Sequence, residues 1–300
     1  MKYVLAFCTA LLAYGIGQAQ ILDNNQGKLY QGDCIFNGKF LRDNGIQSIT
    51  GEISVKKEMR PITHMGTIDQ YLFNEKGQLL EHIKSFRLRG GQIDTTQDYF
   101  KYNDLDHLVS KTSVMLSGYD AIRYQYDAEG NRSGQTWLRG ENKSPFSFHL
   151  EKGKESIIKE ESYENETVSD SIRKRVYLNA EGKPYKETLF RFNSLGHCSA
   201  ENTRYYLTNK KNTITYSYDV EGRLTKIIDH SNIMGNLTLT YTYTYDELSN
   251  LTESKVHKNG KLIETRQFLY FVQTLLLKAQ LIKNEESGEI KIIKYKYQYF

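Results

Sequence analysis

The sequence is poor in proline and cysteine, and its charge is nearly balanced. Only 3 of its 300 residues are Pro and 3 are Cys, and 40 basic residues face 36 acidic ones. So few cysteines exclude a disulfide-scaffold protein. Because the basic residues are interspersed with acidic ones, they form no phosphate-binding stripe, and nucleic acid is not an expected partner.

Long apolar runs are absent beyond the N-terminus, so no membrane-spanning helix is expected. At the N-terminus, Lys2 followed by the apolar run from Val4 to Ile16 is typical of a secretory signal. The small residue Ala19 predicts cleavage before Gln20. We therefore expect residues 1–19 to be a signal peptide, and the mature protein to be exported to the periplasm, the cell surface or the medium.

Motifs for catalysis and cofactor binding are absent as well. The 7 His residues are scattered without the spacing of a metal site, and no glycine-rich phosphate loop precedes a helix. Acidic turn residues such as Asp127 and Glu129 are too few per turn for a calcium loop. We expect no metal, no cofactor and no enzyme activity.

Tyrosine, by contrast, is abundant, with 23 residues that recur in one pattern. An aromatic pair at positions i and i+2 precedes Asp or Asn, and Gly follows three residues later. The aromatic pair shares one face of a strand, the Asp or Asn side chain caps a turn, and Gly supplies a positive φ. The pattern predicts turns at Asn74 and Gly77, Asp127 and Gly130, Asn193 and Gly196, Asp219 and Gly222, and Asp246.

Weaker turn signals lie between these copies, so a turn falls roughly every 13 residues. This spacing predicts an all-β antiparallel meander of about 16 to 18 short strands, twisted or partly curled. Residues 20–60 are less regular, and we expect an irregular N-terminal β cap there, protecting a repeat domain over 61–300. Because an open sheet separates Cys34 from Cys198, both thiols are expected to stay unbridged.

The segment from Tyr216 to Thr225 resembles the YD, or RHS, repeat, and partial copies extend the resemblance over Tyr71 to Phe300. The chain is similar to short, stand-alone, secreted repeat proteins of Bacteroidetes-type bacteria. This resemblance implies a repeat sheet with a binding or structural role. The self-cleaving core segment of the large toxin-type members has no counterpart, so the resemblance implies neither cargo release nor autoproteolysis.

Tyrosines that share a strand face are the candidate binding residues. Two predicted strands each carry three of them: Tyr241, Tyr243 and Tyr245, and Tyr295, Tyr297 and Tyr299. One interpretation is a cross-strand aromatic ladder that only stabilises the sheet. The other is a stacking platform for a glycan or a protein.

Three function classes stay open. The leading one is a non-enzymatic secreted binding or structural protein that presents an aromatic β-surface to a glycan or protein partner. The first alternative is an outer-membrane β-barrel, which also has many short antiparallel strands. Leu237 to Tyr243 alternates as a lipid-facing strand should, whereas Glu264 and Arg266 would place charges in the bilayer. A hydrolase with an unrecognised site is the second alternative.

Overall fold

The computed structural model describes residues 20–24, 36–88, 90–115, 118–144, 149–233 and 235–300. The expected signal peptide, including Ala19, and Cys34 lie outside these residues. Within the described ranges, no helix is long and apolar enough to cross a membrane.

The described chain contains one short helix and a single antiparallel sheet. The helix is Gly38–Asp43 (α1). The strands are Ile46–Lys56 (β1), Thr63–Phe73 (β2), Leu79–Arg87 (β3), Ile93–Tyr102 (β4), Leu108–Met115 (β5), Gly118–Tyr126 (β6), Arg132–Asn142 (β7), Lys152–Ser169 (β8), Ile172–Leu178 (β9), Pro184–Phe192 (β10), Cys198–Tyr205 (β11), Lys211–Tyr218 (β12), Leu224–Ser231 (β13), Leu237–Tyr245 (β14), Leu251–Lys258 (β15), Lys261–Tyr270 (β16), Leu277–Asn284 (β17) and Ile290–Tyr299 (β18).

The sheet closes on itself. Each strand pairs with the next in the chain, and β1 also pairs with β18, where Ile53 lies opposite Ile293. The prediction of an all-β antiparallel meander is confirmed, with 18 strands. The predicted open or partly curled sheet is wrong, because the first and last strands are hydrogen-bonded to each other. The closed barrel matches the outer-membrane β-barrel alternative better than it matches an open repeat sheet.

The boundary of the expected N-terminal cap also differs from the structure. Residues 46–56, which the sequence analysis assigned to the cap, form β1 in the barrel wall, between β2 and β18. Residues 38–43 form α1, whose N-terminus is capped by the side chain of Asn37. The apolar alternation of β1 makes it a wall strand, since Ile49 and Ile53 are both buried.

The tyrosine motif forms turns at one end of the barrel. The Asp219 carboxylate accepts a hydrogen bond from the Arg223 backbone N–H at 2.8 Å, and Gly222 has a φ of 79°. The same arrangement recurs in the turns that contain Asn74 and Gly77, Asp127 and Gly130, and Asn193 and Gly196. In the turn that begins at Asp246, Ser249 takes the left-handed position, with a φ of 65°.

The second aromatic residue of the motif ties neighbouring hairpins together. The Tyr245 hydroxyl donates to the carbonyl oxygen of Leu224, the first residue of β13, at 2.7 Å. Equivalent bonds join Tyr102 to Leu79, Tyr126 to Leu108, Tyr218 to Cys198, Tyr270 to Leu251 and Tyr297 to Leu277. Each bond links the end of one strand to the start of the strand before it, at a net gain of about 1 kcal/mol.

These phenols set an alkaline limit on stability. Burial raises the pKa of both Tyr245 and Tyr218 to about 12. A phenol with a raised folded-state pKa contributes its full stability below pH 10, its ordinary pKa, and loses it as the pH rises toward 12. We expect the barrel to unfold between pH 10 and 12, as followed by circular dichroism, together with the rise in phenolate absorbance. A fold that persists after these tyrosines ionise would contradict this role.

The register separates an inward from an outward face, because directly paired residues lie on the same side of a sheet. The Asn24 amide donates to the Tyr245 hydroxyl of β14 at 3.1 Å, and the Phe36 ring meets the Tyr71 ring of β2 at 4.9 Å. A short chain segment contacts two strands this far apart in the wall only if it lies on the concave side of the sheet. Tyr71 and Tyr245 therefore face inward, and residues 20–24 and 36–43 form a plug inside the barrel end.

Apolar burial inside the barrel is concentrated on one half of the wall. The plug residues Ile21 and Leu41 pack there against residues of β1–β3 and β12–β18, in a cluster that we call the base cluster. Among the described residues, β4–β11 contribute nothing to it. A barrel of 18 strands is too wide for wall side chains to fill, so within the part of the chain that the structure describes, the inward face of β4–β11 lines a lumen.

The outward face carries both charged and apolar residues, and Ile292 of β18 and Leu281 of β17 are paired there. On β14 it carries only threonines, and the neighbouring β15 carries Glu253 and Lys255 there. On β18, Lys294 and Lys296 point outward, and Lys296 pairs with Glu52 of β1. A small cluster of buried apolar residues lies on this face, beneath Leu150: Val114, Tyr119, Ala121 and Leu138.

Candidate functional site

The structure places the two tyrosine triplets inside the barrel. Five of the six belong to the base cluster, and Tyr243 and Tyr295 each expose only 5% of their surface. Tyr299 is the exception, at 54% exposed. Tyr241, Tyr245 and Tyr297 are partly buried, so Tyr299 is the most exposed ring of the six.

The inward face of β7–β10 carries a different set of side chains. Strand β8 turns a polar or aromatic residue inward at every second position from Lys159 to Thr167. The partners across β9 and β10 are cationic or aromatic, except for Thr188. We call this set the lumenal patch; it consists of Trp137, Lys159, Glu161, Tyr163, Asn165, Arg173, Arg175, Tyr177, Lys186, Phe190 and Phe192.

Glu161 is the centre of the lumenal patch. Its side chain is only 2% exposed, and Lys159 Nζ lies 2.8 Å from Oε1. Gln135 and Tyr163 donate to Oε2 at 3.2 and 3.1 Å, and the Tyr185 hydroxyl bonds Oε1. Burial and the nearby Glu161 charge raise the pKa of Tyr163. These contacts satisfy the buried carboxylate, as a buried charge requires.

The cations of the patch lie over aromatic rings. Lys159 Nζ is 4.6 Å from the Trp137 ring centre, and Lys186 Nζ is 3.7 Å from that of Tyr177. Such contacts stabilise a cation by about 0.5–2 kcal/mol without neutralising it. The inward faces of β8–β10 carry Lys159, Lys186 and two arginines against the single carboxylate of Glu161. The patch therefore has an excess of positive charge.

Two recesses adjoin the patch. One, of about 620 Å³, lies at the level of Trp137 and Lys159 and reaches across β6 to Lys111. The other, of about 580 Å³, lies toward the plugged end and is lined by both arginines, Asn165, Phe190 and Phe192. Both volumes fall in the range of small-molecule sites, about 300–1,000 Å³.

The described residues hold one buried His–Asp pair, outside the patch. His82 Nε2 lies 2.6 Å from Asp69 Oδ1, and the His82 ring stacks on Tyr71 at 4.1 Å. His82 is only 2% exposed, so a substrate in the lumen does not reach the imidazole. In the part of the chain that the structure describes, no three His, Cys, Asp or Glu residues are grouped to hold a metal ion.

Sequence reasoning missed the lumenal patch because its strands are polar on both faces. From Lys159 to Glu166, the inward residues of β8 include Lys159, Glu161 and Tyr163, and the outward residues are three glutamates and Ser162. An ordinary half-buried strand has one apolar face. The lack of such a face was itself a signal, since it is typical of a strand with water on both sides.

No family model and no curated protein matches the chain. Among solved structures, a porin-like protein from Bacteroides uniformis ATCC 8492 is 12% identical, with 84% of this chain and 96% of that chain covered and a TM-score of 0.37. A porin-like protein from Bacteroides vulgatus ATCC 8482 is 9% identical, covering 84% and 98%, with a TM-score of 0.31. A putative outer membrane lipoprotein-sorting protein domain from Vibrio parahaemolyticus is 11% identical, covering 87% and 89%, with a TM-score of 0.19. At TM-scores below 0.5, these similarities imply no activity or ligand.

The closed barrel corrects the assignment to YD or RHS repeats. The motif does produce turns, but the strands between them form one closed barrel instead of an open repeat sheet. A turn motif of aromatic, Asp or Asn, and Gly residues meets the needs of any tight antiparallel hairpin, so it does not specify the family.

Proposed function

We propose that this protein is an exported, non-enzymatic β-barrel, with water on both faces of its wall, that binds a polar ligand on the lumenal patch. The observation that carries the proposal is the patch itself. Cations and aromatic rings converge there on the inward face, next to two recesses of ligand size. Binding sites combine apolar rings with a few placed polar groups in this way.

The charged side chains on the outward face support water outside the wall. A lipid-embedded barrel needs an outward apolar band about 25 Å tall, and Lys at mid-depth costs about 2–4 kcal/mol. Here Lys255 lies on β15, and Lys294 and Lys296 lie on β18, on the face that lipid would contact. The outward threonines of β14 supply no apolar band either.

An outer-membrane barrel is the second candidate, and closure of the sheet favours it. An even number of antiparallel strands in one closed barrel is the usual architecture of bacterial outer-membrane proteins. Both candidates are exported barrels. In the first candidate water surrounds the barrel wall, and in the second candidate lipid surrounds it.

The absence of enzyme activity is part of the proposal. A glycosidase needs two facing carboxylates, one of them free to exchange a proton. On the patch, Glu161 stands alone on the inward faces of β8–β10 and is held by Lys159, Gln135 and two tyrosines. These contacts suit a structural carboxylate better than a proton donor.

Cell fractionation tests the proposal. The chain, expressed with residues 1–19 in a Gram-negative host, should leave the cell on osmotic shock without detergent, with Gln20 as its first residue. A porin of the host, followed in the same sample, should stay in the membrane pellet. Recovery of the chain only in the outer-membrane pellet, with release by detergent alone, would favour the second candidate and contradict the first.

A further inference from the structure

The recess toward the plugged end contains two arginines on one strand face. Arg173 and Arg175 are two residues apart on β9, so both point into the lumen. Their Cα atoms are separated by about 7 Å along the strand. Strand β9 thus presents two guanidinium groups side by side.

Neither guanidinium is neutralised by a carboxylate. Within the described residues, no Asp or Glu lies within 4.0 Å of either group, whereas the inward Arg139 and Arg266 pair with Asp120 and Glu264. Arg173 lies 5.0 Å from the Phe192 ring centre. Contacts with aromatic rings and with the Asn165 side chain hold these arginines in place without neutralising their charge.

Arg175 is positioned most tightly. Its Nε donates to Asn165 Oδ1 at 2.9 Å, and its guanidinium lies 4.9 Å from the Tyr163 ring centre. A guanidinium has five N–H donors, and this bond uses one of them. An arginine fixed in this way is prepared for bidentate binding of a carboxylate or phosphate.

The remaining walls of the recess select among anions. Phe190 and Phe192 supply apolar surface beside the arginines, and Asp127, Glu129 and Asn131 line the rim. Glu166 and Lys174, which pair with each other, also line the recess. Carboxylates at the rim repel a bare anion but accept hydrogen bonds from hydroxyl groups. The recess therefore suits a molecule that carries hydroxyl groups, an apolar ring face and an acidic group together.

We infer that this recess binds an acidic saccharide, whose carboxylate contacts Arg173 and Arg175 while a sugar ring lies against Phe190 and Phe192. The inference rests on the proposed lumenal binding function and names its ligand class. An inorganic anion would use only the arginines, and a neutral glycan would use only the rings and the rim.

Calorimetry with matched ligands tests this inference on the mature protein. Tetragalacturonate should bind, and its fully methyl-esterified form, which lacks the charges, should bind at least tenfold more weakly. The Arg173→Gln/Arg175→Gln double variant should lose at least tenfold in affinity for tetragalacturonate. Arg191→Gln should bind as the parent does, since Arg191 is an exposed, outward residue of the adjacent β10.

Each contrary outcome overturns the inference in a distinct way. Equal binding of the acid and the ester would mean a neutral-glycan site, and the proposed binding function would survive. Inorganic phosphate binding as tightly as tetragalacturonate would mean a simple anion site. If neither the parent nor the variants bind any probe, and all have the same melting temperature, the acidic saccharide is excluded. The result of cell fractionation does not depend on this outcome.

Discussion

Replacing Glu161 with alanine is expected to lower the free energy of unfolding by about 4 kcal/mol. The Glu161 carboxylate is buried and is bonded by Lys159, Gln135, Tyr163 and Tyr185. Its removal leaves Lys186, whose side chain is only 18% exposed, without the carboxylate 4.0 Å away. A buried charge that loses its partner costs more than the contact itself was worth. Urea denaturation followed by circular dichroism measures the change.

Two matched variants separate the role of the charge from that of the position. Glu161→Gln keeps the shape and the acceptor oxygen for a tyrosine, so it should lose about half as much stability. Glu160→Ala removes the outward, exposed neighbour on the same strand and should change stability by less than about 0.5 kcal/mol. If Glu161→Ala and Glu160→Ala are equally stable, Glu161 is not the centre of a buried network.

Gly77→Ala is expected to cost about 3 kcal/mol and to release the plug. Gly77 has a φ of 76°, and a methyl group built on it would overlap the carbonyl oxygen of Gly38, where α1 begins. The left-handed backbone accounts for about 1 kcal/mol. The displaced helix accounts for about 2 kcal/mol, as in other overpacked sites. Thermal unfolding gives the stability, and limited proteolysis near Gln20 reports release of the plug.

Gly196→Ala is the control for the plug contact. Gly196 has a φ of 77° in a turn of the same type at the same barrel end, but no atom lies within 4 Å of the added methyl group. It should therefore lose only about 1 kcal/mol, with unchanged proteolysis near Gln20. Equal losses for the two variants would mean that the turn at Gly77 does not support the plug.

Local features of the fold were readable from the sequence because their causes are local. The Asp219 and Gly222 turn is encoded within ten residues, and the alternation of Tyr216 and Tyr218 marks the strand before it. Closure is different, because it depends on β1 pairing with β18, more than 200 residues away. The residues around Ile53 and Ile293 do not indicate which strand each of them pairs with. An open and a closed meander therefore have the same sequence pattern.

The candidate site was less readable than the fold. The enriched tyrosines attracted a binding interpretation, but Tyr243 and Tyr295 are core residues of the base cluster. The lumenal patch depends on residues that are individually ordinary, such as Arg173 and Arg175. They become distinctive only when the register turns them inward and leaves them without a carboxylate. The site is created by strand pairing and by enclosure within the barrel, and neither is encoded by residues that are close together in the sequence.

An engineered disulfide between the first and last strands tests closure most directly, and the lumen depends on closure. Glu52 and Lys294 are outward and directly paired across β1 and β18, and antiparallel partners have Cα atoms about 4.5–5.5 Å apart, within disulfide range. The native cysteines are first removed by Cys34→Ser and Cys198→Ser. A variant of this protein with Glu52→Cys and Lys294→Cys should then form one intramolecular disulfide, which mass spectrometry of the non-reduced protein detects. Glu52→Cys with Glu253→Cys on the distant β15 should keep free thiols. Free thiols in the first pair would contradict the closed barrel.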